Sequence, residues 1–137
     1  MDYEITYTFP TNNEFNQLFE SVGWGLRTDE KINNHRKSSC FSVCIHINSK
    51  IVGMARIVGD GAYYTIYDVV VKKNHQGKGF GKILMHELIN FYKQIEDDDT
   101  CLYLGASEGK ESFYESFGFK ARPYTGIGSG MKYDPDN

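Results

Sequence analysis

A glycine-rich segment between two regular elements constrains the fold of this chain most. Residues 75–82 read His-Gln-Gly-Lys-Gly-Phe-Gly-Lys and follow a strand-like apolar run at residues 66–71. A helix-like stretch at residues 80–95 begins within the segment. Glycine at every second position lets the backbone curl closely around a ligand, and a helix that begins there places its positive dipole end behind the N–H groups of the loop. The pattern predicts a strand, an anion-binding loop and a helix in succession.

The charges around this loop favour a phosphate or pyrophosphate group as the ligand. Lysines flank the loop, and no Asp or Glu lies between Val71 and Leu84. The lysines are Lys72, Lys73, Lys78 and Lys82. A glycine-rich turn with solvated lysines is the alternative, and it predicts no ligand.

The glycine spacing excludes two common phosphate loops. The nucleotide-triphosphate motif G-x-x-x-x-G-K-[ST] needs a Gly-Lys-Ser/Thr triplet, which the chain lacks. The dinucleotide fingerprint G-x-G-x-x-G fails because its third glycine, counted from Gly77, falls at Lys82. The remaining pattern at residues 76–81, Gln-x-x-Gly-x-Gly, resembles the acetyl-coenzyme A loop of the GCN5-related N-acetyltransferases, which reads Gln/Arg-x-x-Gly-x-Gly/Ala.

A second segment carries the same resemblance. Residues 113–119, Phe-Tyr-Glu-Ser-Phe-Gly-Phe, are similar to the family's Phe/Leu-Tyr-Glu-x-Leu/Phe-Gly-Phe motif, and the two motifs have the family's order and spacing across residues 63–119. The resemblance implies a single N-acetyltransferase domain over residues 1–137. It also implies an α/β (α+β) fold, with a mixed, mostly antiparallel central sheet that is splayed at its centre and has helices on both faces.

Length and composition agree with one cytoplasmic domain. The chain has 137 residues and a net charge of -3, so nothing draws it generally to nucleic acid. No apolar run approaches the roughly 20 residues of a membrane helix, and the acidic Met-Asp-Tyr-Glu start predicts no secretory signal. The odd number of cysteines predicts reduced thiols. Cys40 and Cys44, with His46, share a strand face, but the two thiols would lie about 13 Å apart, so we expect no metal site.

Periodicity and turn residues predict the remaining elements. A capping box at Thr11-x-x-Glu14 starts a helix whose apolar face holds Phe15 and Phe19. The polar residues 29–37 fit a short helix or a loop. Ser107 is a candidate N-cap for the helix with the second motif, and Gly118 a left-handed stop. Strands are predicted at residues 3–9, 41–47, 51–58, 63–72 and 101–106, and two last ones at 119–122 and 131–133.

The resemblance implies how acetyl-coenzyme A is held. In the family the sheet opens between the strands that correspond to residues 63–72 and 101–106, and the pantetheine arm lies in the gap. Main-chain groups of Val69, Val70 and Val71 would then bind the arm. The pyrophosphate would lie on the loop at Gln76, Gly77, Lys78, Gly79, Phe80, Gly81 and Lys82. Ser107 stands where many relatives carry an Asn that bonds to the arm.

The resemblance also implies catalytic roles. Tyr114 matches the tyrosine that protonates the leaving thiolate, and a phenol of pKa about 10 is protonated at neutral pH. The positions where many relatives carry a Glu or His base hold Thr65 and Tyr67 here. We therefore expect a water-relayed proton path past Tyr67, or a base elsewhere, such as Asp60 or Glu108. Asp68 is more simply a structural acceptor at a strand bulge.

The expected reaction is direct acetyl transfer to a primary amine in a ternary complex. Trp24, Arg27 and Tyr67 are the predicted acceptor-binding residues, since the N-terminal helices carry the acceptor side in the family. A small-molecule amine is the first expectation, and a protein N-terminus or lysine the second. A catalytically silent acyl-coenzyme A sensor and a generic phosphate-binding module stay open. Relatives often form dimers, so a homodimer is a further expectation.

Overall fold

The computed structural model describes residues 2–136, which form two compact units divided between Leu104 and Gly105. The first unit contains β1 (Glu4–Thr6), α1 (Asn12–Ser21), α2 (Asp29–Ser38), β2 (Ser39–Ile47), β3 (Lys50–Gly59), β4 (Tyr63–Val71), α3 (Phe80–Lys93) and β5 (Cys101–Leu104). The second contains α4 (Glu111–Glu115). The single domain over residues 1–137 stays a prediction.

One sheet of five strands in the order β1-β2-β3-β4-β5 organises the first unit. The first four strands pair antiparallel, whereas β5 pairs parallel to β4. That parallel pairing runs only from Tyr63 to Ile66 on β4, and β4 continues to Val71. The mixed α/β architecture with a mostly antiparallel sheet is therefore confirmed, and the outer half of β4 has no pairing with β5.

Helices α1 and α2 cover one face of the sheet. Thr11 and Glu14 form the predicted capping box at the start of α1. Phe15 and Phe19 are buried in a core cluster that also contains Met54 of β3. The polar stretch at residues 29–37, predicted as a helix or a loop, is helical, because the Thr28 side chain caps it at the Lys31 N–H and Ile32 supplies a buried contact.

Helix α3 packs on the opposite face. It buries Phe80, Leu84, Met85 and Leu88. The ring of Phe91 stacks on that of Phe41 in β2 at 4.4 Å between centroids, and Tyr92 meets Tyr64 of β4 edge-on at 5.7 Å. Helices on both faces are thus confirmed. Because α3 is anchored along its length, its first turn and the glycine loop before it are held at a fixed end of β4.

The C-terminal unit corrects two predictions. Ser107 is not the N-cap of α4, since the cap is Lys110 and the carbonyl of Ser107 accepts its N–H at 3.0 Å. Residues 119–122 and 131–133 form no strand in the described chain, where only an isolated bridge joins Tyr124 to Ile127. The physical reason is the sequence around that bridge, where a proline and three glycines disfavour a ladder and the side chains of residues 120–136 are all exposed.

Candidate active site

The glycine loop has the backbone shape that its sequence predicts. Gly77 and Gly79 have φ values of 78° and 91°, in the left-handed region that other residues avoid. Gly79 is the N-cap of α3 and has no side chain to bond to the first turn. A Cβ at either position would meet no atom within 4 Å. The glycines are therefore required by backbone conformation, and the space beside them is open.

The N–H groups along this loop are free. The first hydrogen bond of the helix runs from the Ile83 N–H to the carbonyl of Gly79 at 3.2 Å. The N–H groups of residues 77–82 form no hydrogen bond with any residue from 2 to 136. Residues 76–79 are exposed. Unpaired N–H groups at the start of a long helix have the geometry and the dipole sign that suit an anion.

The local field at the loop is positive. Lys73, Lys78 and Lys82 are exposed, and Lys72 is half-buried at the end of β4. The pKa of His75 lies below its ordinary value, because of partial desolvation first and then because of the positive charges of Lys78 and Lys72. The His75 Nδ1 lies 2.8 Å from the Asn74 side-chain oxygen. The loop therefore repels a further positive charge and would attract a negative one.

The outer half of β4 presents peptide groups at an open edge. The N–H of Lys72 donates to the carbonyl of Val52 in β3 at 2.8 Å, and Val70 lies directly opposite Met54. Peptide groups alternate in direction along a strand, so those of Val70 face β3 while those of Val69 and Val71 face the edge. The Val71 carbonyl there accepts a 3.0 Å bond from the Gln76 side-chain amide. Of the three predicted valines, Val69 and Val71 can thus offer main-chain groups to a ligand.

A bulge interrupts β4 just before this edge. The register with β3 shifts between the pairs Arg56–Tyr67 and Met54–Val70, and Asp68 has a φ of 56°. The Asp68 carboxylate accepts a 2.7 Å bond from the Nε of Arg56. The interpretation of Asp68 as a structural acceptor at a bulge is confirmed. Arg56 had no role predicted from the sequence, although a lone charge within an apolar strand is a signal of a buried partner.

Trp24 and Arg27 lie on the same aromatic ring. The indole meets the Phe19 ring edge-on at 5.2 Å, and the Arg27 guanidinium lies 5.0 Å from the centroid of that ring. The Asn16 side chain holds the loop by accepting the Arg27 N–H at 2.9 Å and donating to its carbonyl at 3.1 Å. Trp24 remains 46% exposed.

An open cleft of about 620 Å³ is lined by Asn13, Asn16, Gln17, Glu20, Ser21, Leu26 and Lys72.

Two proton-accepting side chains are distinguished by their surroundings. Asp60 accepts the N–H groups of Tyr63 and Ala62, and these bonds hold the pKa of its carboxyl below the usual value, so it is a weak base. His35, which had no role predicted from the sequence, stacks on Phe15 with 5.9 Å between ring centroids. Burial first, and then the charge of Arg56, lower the pKa of His35. Its imidazole is therefore neutral at neutral pH.

The second motif lies on α4 and the turn after it. Tyr114 is half-buried, and burial raises the pKa of its phenol above 10, so the hydroxyl stays protonated through the neutral range. Its ring meets Phe113 edge-on at 5.1 Å, and Phe113 meets Phe117 at 5.2 Å. Gly118 has a φ of 98°, as predicted for a left-handed stop. Ser107 is exposed in the turn before the helix.

Two further absences concern the described residues 2–136. No three of their His, Cys, Asp and Glu side chains group together as metal ligands would. Cys44 is buried with its thiol donating to the Thr8 carbonyl at 3.2 Å, and His46 bonds to Glu14 at 2.7 Å.

None of the helices within residues 2–136 has both the length and the apolar character needed to cross a bilayer.

Comparison with known proteins gives consistent results. A family model described as an acetyltransferase (GNAT) domain matches residues 37–121. An uncharacterized N-acetyltransferase, ycf52, of Pyropia yezoensis is 36% identical over 115 residues, covering 80% of this chain and 65% of that protein. A histone acetyltransferase, TAP1, of Glycine max is 32% identical over 132 residues, covering 88% and 55%. A chloroplastic GCN5-related N-acetyltransferase 2 of Arabidopsis thaliana is 37% identical over 127 residues, covering 77% and 48%. The chain thus spans about half to two-thirds of these relatives.

Solved structures share the fold. A probable acetyltransferase from meticillin-resistant Staphylococcus aureus, itself of unknown function, superposes with a TM-score of 0.84 and is 26% identical, with 96% of this chain and 100% of that chain covered. The ribosomal-protein-S18-alanine N-acetyltransferase of Escherichia coli gives a TM-score of 0.75 at 16% identity, with 89% and 80% covered. At that identity the second likeness concerns the fold alone.

Proposed function

The chain belongs to the GCN5-related N-acetyltransferase family, whose domain model matches residues 37–121, and we propose that it transfers the acetyl group of acetyl-coenzyme A directly to a primary amine. The observation that supports this most is the row of unpaired N–H groups at residues 77–82, at the start of α3, where residues 77–79 and Lys82 are exposed. A diphosphate fits these groups, because they supply hydrogen-bond donors and a helix dipole of the right sign. The neighbouring lysines add positive charge.

Acetyl-coenzyme A would be held along two surfaces that meet at Gln76. The loop from Gln76 to Lys82 would take the diphosphate. The main-chain groups of Val69 and Val71 would bond to the pantetheine arm as an added strand does, with Val70 packing behind them in the core. Ser107 is proposed as a further contact to the arm. When bound, acetyl-coenzyme A supplies a thioester, which is an activated acetyl donor.

The proposed roles of the side chains follow the atoms of the transfer. The amine nitrogen forms a bond to the acetyl carbon while the carbon–sulfur bond breaks, and the sulfur takes a proton from the hydroxyl of Tyr114. The nitrogen, which becomes positively charged on attack, releases one proton as the amide forms, and a proton from the solvent restores the phenol. An alkylamine of pKa near that of lysine is only about one part in a thousand neutral at pH 7, so its proton must leave first. With Thr65 and Tyr67 in place of an acidic or imidazole base, we propose that water carries this proton away past Tyr67.

The acceptor is proposed to be a small primary amine that binds beside Trp24 and Arg27. The half-exposed indole offers a flat apolar surface, and the Asn16 bonds hold the loop of both residues on α1. A protein amine is the second candidate, since one relative is named as a histone acetyltransferase and one structure as an alanine N-acetyltransferase of a ribosomal protein. A cytoplasmic location is proposed from the reduced thiols, although the Arabidopsis relative is named as chloroplastic.

Titration calorimetry with coenzyme A and with ATP tests the cofactor assignment. We expect coenzyme A to bind and ATP to bind far more weakly, because ATP has no pantetheine arm for β4. Equal affinities would favour a generic phosphate module. Release of free coenzyme A thiol from acetyl-coenzyme A is then measured across small amines and peptides. Binding of coenzyme A without release on any amine would favour the sensor, and release on peptides alone would favour a protein acceptor.

A further inference from the structure

Asp68 adopts a backbone conformation that a strand does not normally contain. The other non-glycine residues with positive φ among residues 2–136 are Asn48 and Ser49, which lie in the tight turn between β2 and β3. Asp68 lies in the middle of β4 with a φ of 56°. A side chain in the left-handed region is costly, even for Asp, and persists where the surroundings enforce it. An interaction that holds this residue in place is therefore expected.

Arg56 supplies that interaction. Its side chain is nearly buried, and its Nε donates to the Asp68 carboxylate at 2.7 Å. Its Nη1 donates to the Ser39 hydroxyl at 3.2 Å, at the start of β2. The guanidinium also lies 5.4 Å from the centroid of the Tyr67 ring. A buried guanidinium needs such partners. Arg56 therefore holds Tyr67 and Asp68, the two residues at the register shift, in place relative to β2 and β3.

The bulge decides which peptide groups reach the open edge of β4. Past it, Val70 faces β3 and its side chain lies in the core cluster, while Val69 and Val71 face outward. A slip of one residue would reverse this arrangement, because both side chains and peptide groups alternate along a strand. Val70 would then offer its groups to the edge, and Val69 and Val71 would bond to β3.

We infer that Arg56 and Asp68 are a positioning pair for the cofactor, which sets the bulge and thereby aims the peptide groups of Val69 and Val71 at the pantetheine arm. This inference rests on the proposed function. Neither side chain touches the cofactor in this scheme, and both act through the β4 backbone. The diphosphate loop at residues 77–82 is set separately, by its own glycines and by α3. The pair should therefore affect the arm and leave the diphosphate alone.

This separation allows a test with two ligands. Coenzyme A contains the arm, whereas 3′-phospho-ADP carries the same nucleotide and diphosphate without it. Affinities of both ligands are measured by calorimetry for the wild-type chain and for Asp68→Gly, Asp68→Asn and Arg56→Met. Glycine tolerates positive φ but removes the carboxylate, so Asp68→Gly separates the ion pair from backbone strain. Asparagine also tolerates positive φ and keeps an oxygen that accepts the Arg56 N–H.

The expected result is a selective loss. Asp68→Gly and Arg56→Met should bind coenzyme A about tenfold more weakly, as expected for the loss of one or two hydrogen bonds, with affinity for 3′-phospho-ADP nearly unchanged. Asp68→Asn should stay close to wild type. If Asp68→Gly binds coenzyme A as wild type does, or if affinity for both ligands falls equally, the pair does not position the arm. If Arg56→Met does not fold, the two Asp68 variants alone decide whether the pair positions the arm. A wild-type chain that binds neither ligand would instead overturn the proposed function itself.

Discussion

The side-chain amide of Gln76 donates a 3.0 Å hydrogen bond to the carbonyl oxygen of Val71. The first residue of the loop is thereby tied to the last residue of β4, and the short turn at Lys73–His75 is closed between them. The bond occupies the outward carbonyl of Val71 and leaves its N–H free. Gln76 thus acts on the strand and the loop together, which gives its side chain a role in setting the angle between the two proposed binding surfaces.

Replacing Gln76 with Leu should weaken coenzyme A binding about fivefold, the effect of losing one hydrogen bond of roughly 1 kcal/mol. Calorimetry measures this change. The matched control is Gln94→Leu, an exposed glutamine at the other end of α3. Equal affinities for the two variants would contradict a role for the Gln76–Val71 bond.

Gly79→Val should abolish measurable coenzyme A binding. The position has a φ of 91° with open space around it, so the valine is strained by its backbone and not by a clash. Gly61→Val is the control, since Gly61 has a φ of 100° and equally open space in the turn between β3 and β4. Both variants should lose similar thermal stability. Retained binding in Gly79→Val would remove the loop from the cofactor site.

Tyr114→Phe should lower kcat by about a hundredfold or more while leaving coenzyme A affinity unchanged, the usual size for loss of a general acid. Because burial raises the pKa of Tyr114, the wild-type acid should stay protonated through the neutral range, and a fall of kcat from its ionisation should begin at a higher pH than for an exposed phenol. Tyr133→Phe, which changes an exposed phenol of the same unit, is the control. Steady-state kinetics decide the matter, and an unchanged kcat would reject the acid role.

Coenzyme A should bind more tightly as the pH falls, in part because His75 takes up a proton on binding. Partial desolvation first, and then the charges of Lys78 and Lys72, lower the pKa of His75 in the free protein, and a bound diphosphate would offset the lysine charges and raise it. Binding then takes up a proton, so affinity increases as pH drops through the pKa of the bound state. The ligand's own phosphates titrate in the same range, and His75→Gln provides the correction. Parallel pH profiles of the two proteins would argue against the coupling.

Trp24→Ala should raise the KM for a small amine about tenfold without changing coenzyme A affinity, because the indole contributes apolar contact area on the acceptor side alone. Trp24→Phe keeps an aromatic ring on Phe19 and should restore most of the loss. Steady-state KM values across the three proteins measure the effect. If both variants change coenzyme A affinity instead, the loop belongs to the fold and not to the acceptor.

The fold was predictable where local signals agreed. Alternation predicted β2, turn residues predicted β3, an apolar run predicted β4, and the capping box at Thr11 predicted the start of α1. The polar helix α2 was ambiguous, because a single buried residue, Ile32, carries little periodic signal. The Ser107 cap failed because Gly109, with a φ of 84°, continues the turn and delays the helix to residue 111.

The site was only partly predictable. The glycine pattern predicted the loop, because glycine is the residue that adopts a positive φ without strain, as Gly77 and Gly79 do. The Arg56–Asp68 pair joins residues on different strands across a shifted register, and no local pattern reports which charges meet there. The side-chain role of Gln76 depends in the same way on the path of the chain after β4.

A binding surface made of peptide N–H groups, as proposed for residues 77–82, has a consequence for how such a protein diverges. Every amino acid except proline carries a peptide N–H, so substitution of Lys78 or Lys82 by any residue other than proline keeps the row of donors at the start of α3 and alters only the charge around it. The proposed acceptor loop at Trp24 and Arg27 would instead work through side chains, which every substitution changes. On this proposal, new amine preferences would arise there by ordinary mutation, while the donor of the acetyl group would stay the same.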